Sequence, residues 1–352
     1  MARHAKIDSG LQPGGRYLEI ARKRRRSRLI KRIGIGVAAV IAVAVLAVGG
    51  YYLWFRASLD SALSKHTDAN VFSSLDEAKS GVFYTLLLGS DIRHEDVVGR
   101  GSEMQTDVIM LMRTDPVNNK VTLLSIPRDT PVKLDNGETV KINALYNMGG
   151  VSRVVQEVKK LTGLPISHYA MVYMSDCKNV VDALGGVEVD VPIEINNNDP
   201  ETEENVNIQP GLQVLDGRHA QAFAISRHEA EGPEESYRQG KIRALIEAIM
   251  KKALDRPITE IPGTIINLAQ YVETDLRTDD LGALARNFTD GGVTVYSATG
   301  PSDGDFYGAD ETWYCYENPE GWKAVVKAVD SGQDPSDIDY ESTQIVPAKS
   351  AA

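Results

Sequence analysis

The sequence contains very few cysteines and none of the short motifs that identify the common nucleotide-binding and hydrolytic enzymes. No Walker A or Rossmann glycine pattern occurs, no zinc-ligand spacing and no nucleophile elbow. The 352 residues include only two cysteines, Cys177 and Cys315. They could form one disulfide outside the cytoplasm, but Cys177 lies in an apolar-periodic stretch and fits a core position as well. The chemistry must therefore come from other side chains.

Positive charge is scarce outside the N-terminus. Residues 1–32 hold 11 basic and 2 acidic residues, a net charge of +9, whereas the remainder holds 27 basic and 47 acidic residues, a net charge of −20. A globular part this acidic does not attract nucleic acid or anionic membrane through its general field. Any polyanion that it binds needs a local cluster of arginines or a metal ion.

One stretch, residues 33–55, is apolar and uncharged over 23 residues. A helix of this length spans the hydrocarbon core of a bilayer, at a rise of about 1.5 Å per residue. A basic cluster at residues 22–32 precedes it, and aromatic residues at 51–55 fit an interfacial belt. The positive-inside rule predicts a single-pass protein of the cell membrane with a cytoplasmic N-terminus and an extracytoplasmic C-terminal part. A cleaved signal peptide is the alternative, but the run is long for one and no small-x-small site follows it.

The anchor divides the chain into five predicted parts. These are a basic cytoplasmic segment over residues 1–32, a transmembrane helix over 33–55, a stalk over 56–80, an extracytoplasmic domain over 81–330 and a disordered tail over 331–352. In the extracytoplasmic domain, short apolar runs alternate with stretches of helical periodicity, which is typical of an α/β fold.

Three predicted strands begin this domain, over residues 82–89, 106–112 and 121–126. The turn at residues 115–119 has the right length for an antiparallel return from the second strand to the third. Further strands are predicted over 169–174, 187–191 and 293–296, and helices over 151–161, 175–184, 215–227, 258–270, 278–288 and 318–330. Asp216 lies near the N-cap of the helix over 215–227, and Ser236 is the predicted cap of the next helix.

Charged residues stand at the ends of the first three strands. Asp91 and Arg93 follow the first strand, Asp107 opens the second, and Arg128 and Asp129 follow the third. If these strands are neighbours, the five side chains meet at one edge of the sheet, where ligands of open α/β sheets gather. Two carboxylates with nearby arginines suit a hard divalent cation and a phosphate group, and phosphoryl transfer needs mostly alignment and charge stabilisation. The alternative is a set of strand-end ion pairs without chemistry.

Taken in order, these residues resemble the LytR–CpsA–Psr family of membrane-anchored, extracytoplasmic glycopolymer transferases. The resemblance is strong over residues 81–255 and weaker to about residue 330. The motifs that carry it are Leu88–Arg93, Thr106–Asp107, Ser125–Asp129, Lys141–Asn143, Val181–Val187, Gln209–Gly217 and Arg238–Gln239. Each motif alone is weak, but in this order behind an anchor helix they are highly specific together.

The resemblance implies a fold, a reaction and a set of roles. The fold is an α/β fold with a mixed central sheet flanked by helices and an apolar tunnel for a lipid tail. The reaction moves a glycopolymer from a polyprenyl-pyrophosphate carrier to a hydroxyl of peptidoglycan or a linked wall polymer, with Mg²⁺ or Mn²⁺ as cofactor. Asp91 and Asp107 would hold the metal, and Asp107 or Asp129 would take the hydroxyl proton. The implied phosphate-binding residues are Arg93, Arg128, Arg227, Arg238 and Gln239, and Arg128 is also implied to be catalytic.

Three positions depart from the family pattern, which usually has arginine where this chain has Gln105, Ile225 and Glu235. Each charged hydrogen bond is worth about 1.5–3 kcal/mol, so three losses would weaken transition-state binding by orders of magnitude unless other residues compensate. The arginines that could compensate are Arg100, Arg113, Arg153 and Arg243. We therefore expect Arg128, at the end of the third strand, to carry a larger share of phosphate binding than the corresponding arginine of other family members.

These departures support an alternative function, that of a non-catalytic binder of lipid-linked wall precursors. A third hypothesis is a transcription regulator, supported only by the basic cluster at residues 22–32. That cluster is explained more simply as the flank of an anchor, and the acidic outer part argues against nucleic acid as a partner.

Overall fold

The structure is a computed structural model, which describes only part of the chain. This described part comprises residues 49–61, 71–78, 81–90, 105–198, 204–226, 234–254, 261–278, 293–307, 312–336 and 338. The chain divides into two units, Met1–Ala57 and Ser58–Ala352. In the first unit, residues 49–57 are helical and the Tyr51, Tyr52 and Trp54 side chains are exposed. Residues 33–48 of the predicted transmembrane helix lie outside the described part, and none of the described helices is both long and apolar enough to span a bilayer.

The second unit contains both strands and helices. The strands are β1 Phe83–Ser90, β2 Val108–Asp115, β3 Lys120–Ser125, β4 Pro131–Lys133, β5 Thr139–Lys141, β6 Ile166–Tyr173, β7 Val187–Val191, β8 Ile195–Asn198, β9 Asn205–Ile208, β10 Gly211–Leu215, β11 Glu273–Thr274, β12 Thr294–Thr299, β13 Ser302–Tyr307 and β14 Trp313–Glu317. The α-helices are α1 Leu145–Thr162, α2 Met174–Ala183, α3 Gly217–Ile225, α4 Glu234–Leu254, α5 Ile261–Ala269 and α6 Pro319–Ser331. Short 3₁₀ helices lie at Val71–Ser73 and Ile142–Ala144.

Six strands form the central sheet, in the order β11-β6-β1-β2-β3-β12. β1 is antiparallel to β2 and β2 to β3, whereas β6 lies parallel to β1 and β12 parallel to β3. The sheet is therefore mixed, as predicted. The pairs β4–β5, β7–β10, β8–β9 and β13–β14 are two-stranded. Of these eight strands, only β7 is among the strands predicted from the sequence.

The turn between β2 and β3 forms where the sequence predicts it, because Asp115 stabilises it. The Asp115 carboxylate accepts hydrogen bonds from the Asn118 backbone N–H at 3.0 Å and from the Asn118 side-chain amide at 2.9 Å. Asn119 adopts a left-handed conformation with φ 51°, which asparagine tolerates better than most residues. This turn sets the register in which Met110 pairs with Ser125.

One face of the central sheet is covered by a large apolar core. Leu86 of β1, Leu111 of β2 and Leu124 of β3 are fully buried there. Val155 of α1 and Trp322 of α6 belong to the same cluster. The helical stripe predicted over residues 151–161 therefore packs on this face, with alternate strand residues supplying the other half of the core.

The other face carries a smaller buried cluster. Met110 of β2 and Leu123 of β3 pack against Ile242 of α4. Leu87 and Met112, which border this cluster on the same face, stay partly exposed. Within the described residues, this face of the sheet thus leaves apolar surface that the protein itself does not fully cover.

Glycines shape α1. The helix is kinked at Gly149–Gly150, where Gly150 has φ 61°, and it ends at Gly163, which has φ 68°. The helix predicted over residues 151–161 is therefore the second arm of one kinked element. Because a left-handed residue at the end of a helix strongly favours glycine, the backbone conformation of Gly163 explains why α1 ends there.

One of the two predicted helix caps is present. Asp216 begins α3, and its carboxylate accepts a hydrogen bond from the His219 backbone N–H at 2.9 Å. The prediction that Ser236 caps the next helix is wrong, because α4 already begins at Glu234, where an acidic residue is favoured by the helix dipole. The predicted helix over residues 278–288 lies, except for Thr278, outside the described residues.

Part of the segment predicted as a stalk packs on the folded domain. Val71 is fully buried in the core of α1 and α6, and Asp76 forms an ion pair with Lys159 of α1 at 2.7 Å. Residues 71–78 therefore belong to the domain. Cys177 on α2 and Cys315 on β14 are both described, and no disulfide joins them.

Candidate active site

The ends of three neighbouring strands meet at one edge of the central sheet. Gly89, next to the end of β1, pairs with Val108 at the start of β2. Ser125, at the end of β3, pairs with Met110. Gly89 has a local reason to be glycine, since a Cβ there would lie 2.9 Å from the Val108 Cβ. This close approach brings together the chain segments that carry the predicted site residues.

Arg128 connects two carboxylates at this edge. Its Nη1 donates to Asp107 Oδ1, and its Nε lies 3.5 Å from Asp129 Oδ2. The side chains of Arg128, Asp107 and Asp129 are only 22%, 14% and 11% exposed. Because charges interact more strongly when they are partly removed from water, the pairing holds the guanidinium in a defined position.

Lys141 is a site residue to which the sequence analysis gave no role. Its Nζ lies 2.7 Å from Asp129 Oδ1, so Asp129 is held between two cations. The backbone of Asp129 is fixed as well, since its carbonyl accepts from the Cys315 backbone N–H at 3.0 Å. The available signal was the place of Lys141 in the Lys141–Asn143 motif together with its charge.

Backbone hydrogen bonds brace the loop that carries Arg128. Thr130 donates to the Pro127 carbonyl through its hydroxyl at 2.7 Å and its N–H at 3.1 Å. The Asn143 N–H donates to the Arg128 carbonyl at 3.2 Å, and the Ile142 N–H donates to the Thr130 carbonyl at 2.9 Å. The 3₁₀ turn at Ile142–Ala144 is therefore hydrogen-bonded to the loop, and these bonds fix the backbone from which the Arg128 side chain extends.

Gln105, one of the three departures from the family pattern, lies at this edge. Its side chain is exposed, and its Oε1 accepts from Asn143 Nδ2 at 3.3 Å. Ile225 is the half-buried last residue of α3, and for Glu235 of α4 only the backbone is described. A neutral amide thus stands two residues before Asp107, at a position for which the family resemblance implies arginine.

Several predicted site residues cannot be placed. Asp91 and Arg93 follow β1 directly in the sequence but lie outside the described residues, as does Arg227. Arg238 and Gln239 belong to α4, but their side chains are not described.

Of the four arginines that could compensate, Arg100 is outside the described residues and Arg113 lies away from the edge. Arg113 is five residues along β2 from Val108, about 17 Å away at the usual rise of a strand. Both of its terminal nitrogens donate to Asp115 Oδ2 at 3.2 Å. Arg153 on α1 pairs with Glu157 at 3.8 Å.

A narrow crevice opens beside Asp107. Ser125 and Ile242 also line it, so α4 closes the crevice over the ends of β2 and β3. Ser125 is 3% exposed, and its hydroxyl has no hydrogen-bond partner among the described residues. The crevice is therefore lined by the apolar side chain of Ile242, the carboxylate of Asp107 and the buried hydroxyl of Ser125.

The arrangement can bind an anion and can accept a proton. Arg128 supplies a planar donor fork suited to phosphate, and Asp107 supplies a carboxylate at the crevice. No group of three or more potential metal ligands occurs within the described part of the chain. Mg²⁺ can be held by one or two protein carboxylates with substrate phosphate oxygens, so the donor set of Asp107 and Asp91 is chemically suitable.

The chain is similar to proteins of one known family in both sequence and fold. Residues 51–324 match the model of the LytR_cpsA_psr family. The polyisoprenyl-teichoic acid–peptidoglycan teichoic acid transferase TagU of Bacillus mycoides is 31% identical over 297 residues, 81% of this chain and 92% of TagU. The corresponding transferase TagV of Bacillus subtilis is 29% identical over 299 residues, 82% of this chain and 74% of TagV. The crystal structure of B. subtilis TagV superposes with a TM-score of 0.62 at 26% identity, covering 73% of this chain and 99% of that structure.

Proposed function

The chain belongs to the LytR_cpsA_psr family, and on this premise we propose that it transfers a glycopolymer from a polyprenyl-pyrophosphate carrier to a hydroxyl of peptidoglycan or of a linked wall polymer. The observation that carries the proposal is the Arg128–Asp107 pair beside the incompletely covered apolar face of the central sheet. The names of TagU and TagV support the substrate class, since both act on polyisoprenyl-linked teichoic acid and peptidoglycan.

A lipid pyrophosphate has an anionic head and an apolar tail, and the described surface offers a matching pair of features. Arg128 stands at the edge where the head would bind. Leu87 and Met112 lie on the partly exposed face that begins at the same edge and continues along β1 and β2. Burial of an apolar chain against this face is favourable by about 25 cal/mol for each Å² removed from water.

The proposed reaction forms one P–O bond and breaks another. The oxygen of the acceptor hydroxyl attacks the phosphorus that carries the glycopolymer, and the bond from that phosphorus to the polyprenyl phosphate breaks. The Arg128 guanidinium stabilises the negative charge on the phosphate oxygens. The proton of the hydroxyl passes to a carboxylate, and we assign this role to Asp107 because it lines the crevice, whereas Asp129 is held by Lys141 and Arg128.

We propose Mg²⁺, or Mn²⁺ in its place, as the cofactor. Asp91 and Asp107 would hold the ion with phosphate oxygens of the substrate, and the ion would neutralise charge on the pyrophosphate. The ion would supply positive charge at the edge, where Gln105 offers only a neutral amide.

The decisive experiment offers the full-length protein in detergent a polyprenyl-pyrophosphate-linked glycan, isolated peptidoglycan and Mg²⁺. Release of polyprenyl phosphate together with label on peptidoglycan is the expected result. Asp107→Asn should lose turnover by two orders of magnitude or more if Asp107 takes the proton, a role typically worth about 10²–10⁴-fold. No release by the wild type, or full turnover by Asp107→Asn, contradicts the proposal.

The same experiment separates the second candidate function, a binder of lipid-linked wall precursors without turnover. The exposed Gln105 at the edge is the observation that favours it. A binder retains the lipid-linked glycan with wild-type affinity in both the native protein and Asp107→Asn, and it releases no polyprenyl phosphate from either.

We also propose that residues 33–55 anchor the protein in the cell membrane, with the N-terminus in the cytoplasm and the enzymatic domain outside. The basic cluster before this stretch supports this topology. A reporter that is active only outside the cytoplasm, fused after residue 352, tests it. An inactive reporter at normal expression contradicts the topology and would revive the regulator hypothesis.

A further inference from the structure

Arg243, the fourth arginine that could compensate for the missing ones, lies at the edge of the central sheet where Arg128 emerges. It belongs to α4, and its Nη1 donates to the Thr299 hydroxyl at the end of β12. Thr299 pairs with Ser125 at the end of β3. Neighbouring strands lie about 4.8 Å apart, so the Arg243 guanidinium stands beside the strand end that leads to Arg128.

Arg243 directly follows a residue that lines the crevice beside Asp107. Ile242, the residue before Arg243, lines the crevice together with Asp107 and Ser125. In the parallel β3–β12 pair, Ser125 and Thr299 stand side by side on the face that α4 covers. The buried Ser125 hydroxyl, which has no partner among the described residues, is therefore a second polar group within this small region.

Arg243 is a partly buried positive charge that could bind an anion. It is partly buried, and no carboxylate among the described residues is in ion-pair contact with it. Burial lowers the pKa of Arg243, and the charge of Glu247, one helical turn along, opposes this only in part. A guanidinium carries five N–H donors, and a single neutral hydroxyl does not compensate a partly desolvated positive charge.

We propose that Arg243, positioned by Thr299, binds a phosphate group of the lipid pyrophosphate and replaces positive charge that this chain lacks at Gln105. The proposal rests on the proposed function, since it assigns Arg243 to the same anionic head that Arg128 binds. The ligand class is a lipid-linked pyrophosphate, and Ser125 supplies a neutral hydroxyl that can donate to the same oxygens. Arg243 thereby becomes a phosphate-binding residue outside the motifs that carry the family resemblance.

The test measures binding of geranylgeranyl pyrophosphate to the full-length protein in detergent. Arg243→Gln should weaken binding about tenfold or more, as expected for one charged hydrogen bond. Arg243→Lys, which retains the charge, should lose less. Arg218→Gln is the matched control, because Arg218 is an arginine on α3 that pairs with Glu204 on the surface and should not affect binding.

A rescue experiment excludes a merely structural role. Gln105→Arg restores an arginine at the edge and should recover most of the affinity lost in Arg243→Gln, because the proposed role of Arg243 is the charge itself. Thermal unfolding checks that each variant is folded. If Arg243→Gln binds as tightly as the wild type, or if Gln105→Arg fails to rescue a folded variant, the inference is wrong.

The inference and the proposed function fail in different ways. Loss of binding in Arg128→Gln but not in Arg243→Gln contradicts the role of Arg243 and leaves the transferase proposal standing. Absence of binding by the wild type, under conditions in which a detergent-solubilised relative such as TagV binds, overturns both.

Discussion

Arg128 and Asp107 form an ion pair across two strand ends that are 21 residues apart in the sequence. Asp107 precedes β2 and Arg128 follows β3, so the antiparallel pairing of these strands is what brings the two side chains together. The pair links the geometry of the sheet to the proposed chemistry, because any shift of one strand against the other would separate the anion-binding guanidinium from the carboxylate at the crevice.

Replacement of Arg128 should be the most damaging single arginine substitution. We expect Arg128→Ala to weaken binding of a polyprenyl pyrophosphate by about 10–100-fold, and by more than Arg93→Ala or Arg238→Ala. The variant loses a phosphate ligand and also leaves the Asp107 and Asp129 carboxylates facing each other without the cation between them. Titration of each variant with the same ligand measures the order, and an equal or milder loss for Arg128→Ala contradicts this prediction.

Lys141 should act on turnover through Asp129. In Lys141→Gln, Asp129 loses its contact at 2.7 Å, and Arg128 becomes the only described cation left to neutralise it. The guanidinium should then be drawn away from Asp107, and we expect turnover to fall about tenfold while substrate affinity changes less. Lys133→Gln, an exposed lysine on the neighbouring β4, is the control. Steady-state kinetics that show equal turnover for both variants would rule out this coupling.

The strands of this protein can be predicted from the sequence only where local signals are strong. The apolar runs predict β1, β2 and β3, and the Asp115–Asn119 turn predicts that β2 returns into β3. The strands β8 and β9 are four residues each, carry mostly polar side chains and pair only with one another, so no apolar run marks them. Their stability depends on the helix α3 that packs on them, which is tertiary information.

The site is predictable in part for the same reason. The meeting of Asp107 and Arg128 follows from the position of each residue at a strand end. The role of Lys141 does not, because it depends on how the loop after β5 folds back under Arg128. Arg243 lies beyond local prediction as well, since it reaches the site through the packing of α4 on the last strand of the sheet.

Asp115 should contribute to stability in a pH-dependent way. Burial raises the pKa of its carboxyl, but hydrogen bonds from Asn118 and the Arg113 guanidinium outweigh this and hold the pKa below its usual range. Because the folded-state pKa is lowered, the contribution is fully present above the unfolded value of about 3.9 and is lost as pH falls through the folded pKa. We expect Asp115→Asn to lower the free energy of unfolding by about 3 kcal/mol at neutral pH, since it leaves a buried guanidinium without its partner.

The pH dependence of stability under acidic conditions distinguishes loss of the Asp115 charge from a general destabilisation of the fold. Thermal unfolding of Asp115→Asn should begin to approach that of the wild type as pH falls below the unfolded value of about 3.9, and should reach it only below the lowered folded-state pKa of the carboxyl, where the wild-type carboxyl is protonated too. Asp135→Asn is the control, because Asp135 is exposed in the turn between β4 and β5 and the change should stay within about 0.5 kcal/mol. A constant difference between Asp115→Asn and wild type at all pH values would contradict the assignment.

Met112 tests whether the incompletely covered face of the sheet holds the lipid tail. Its side chain lies beside the cluster of Met110, Leu123 and Ile242 and is partly exposed. Burial of a methionine side chain is worth about 1.5–3 kcal/mol, so Met112→Gln should weaken binding of undecaprenyl pyrophosphate about tenfold. Binding of geranyl pyrophosphate, whose short tail ends nearer the charged edge, should change little.

The comparison between the two ligands carries the argument, because a general perturbation of the fold would weaken both. Met148→Gln is the matched control, since Met148 is 51% exposed on the first arm of α1 and outside the buried clusters of the sheet. If Met112→Gln loses affinity equally for the short and the long ligand, the face does not bind the tail. The charged edge would then account for recognition of the head alone, and the tail would have to lie elsewhere on the protein or remain in the membrane.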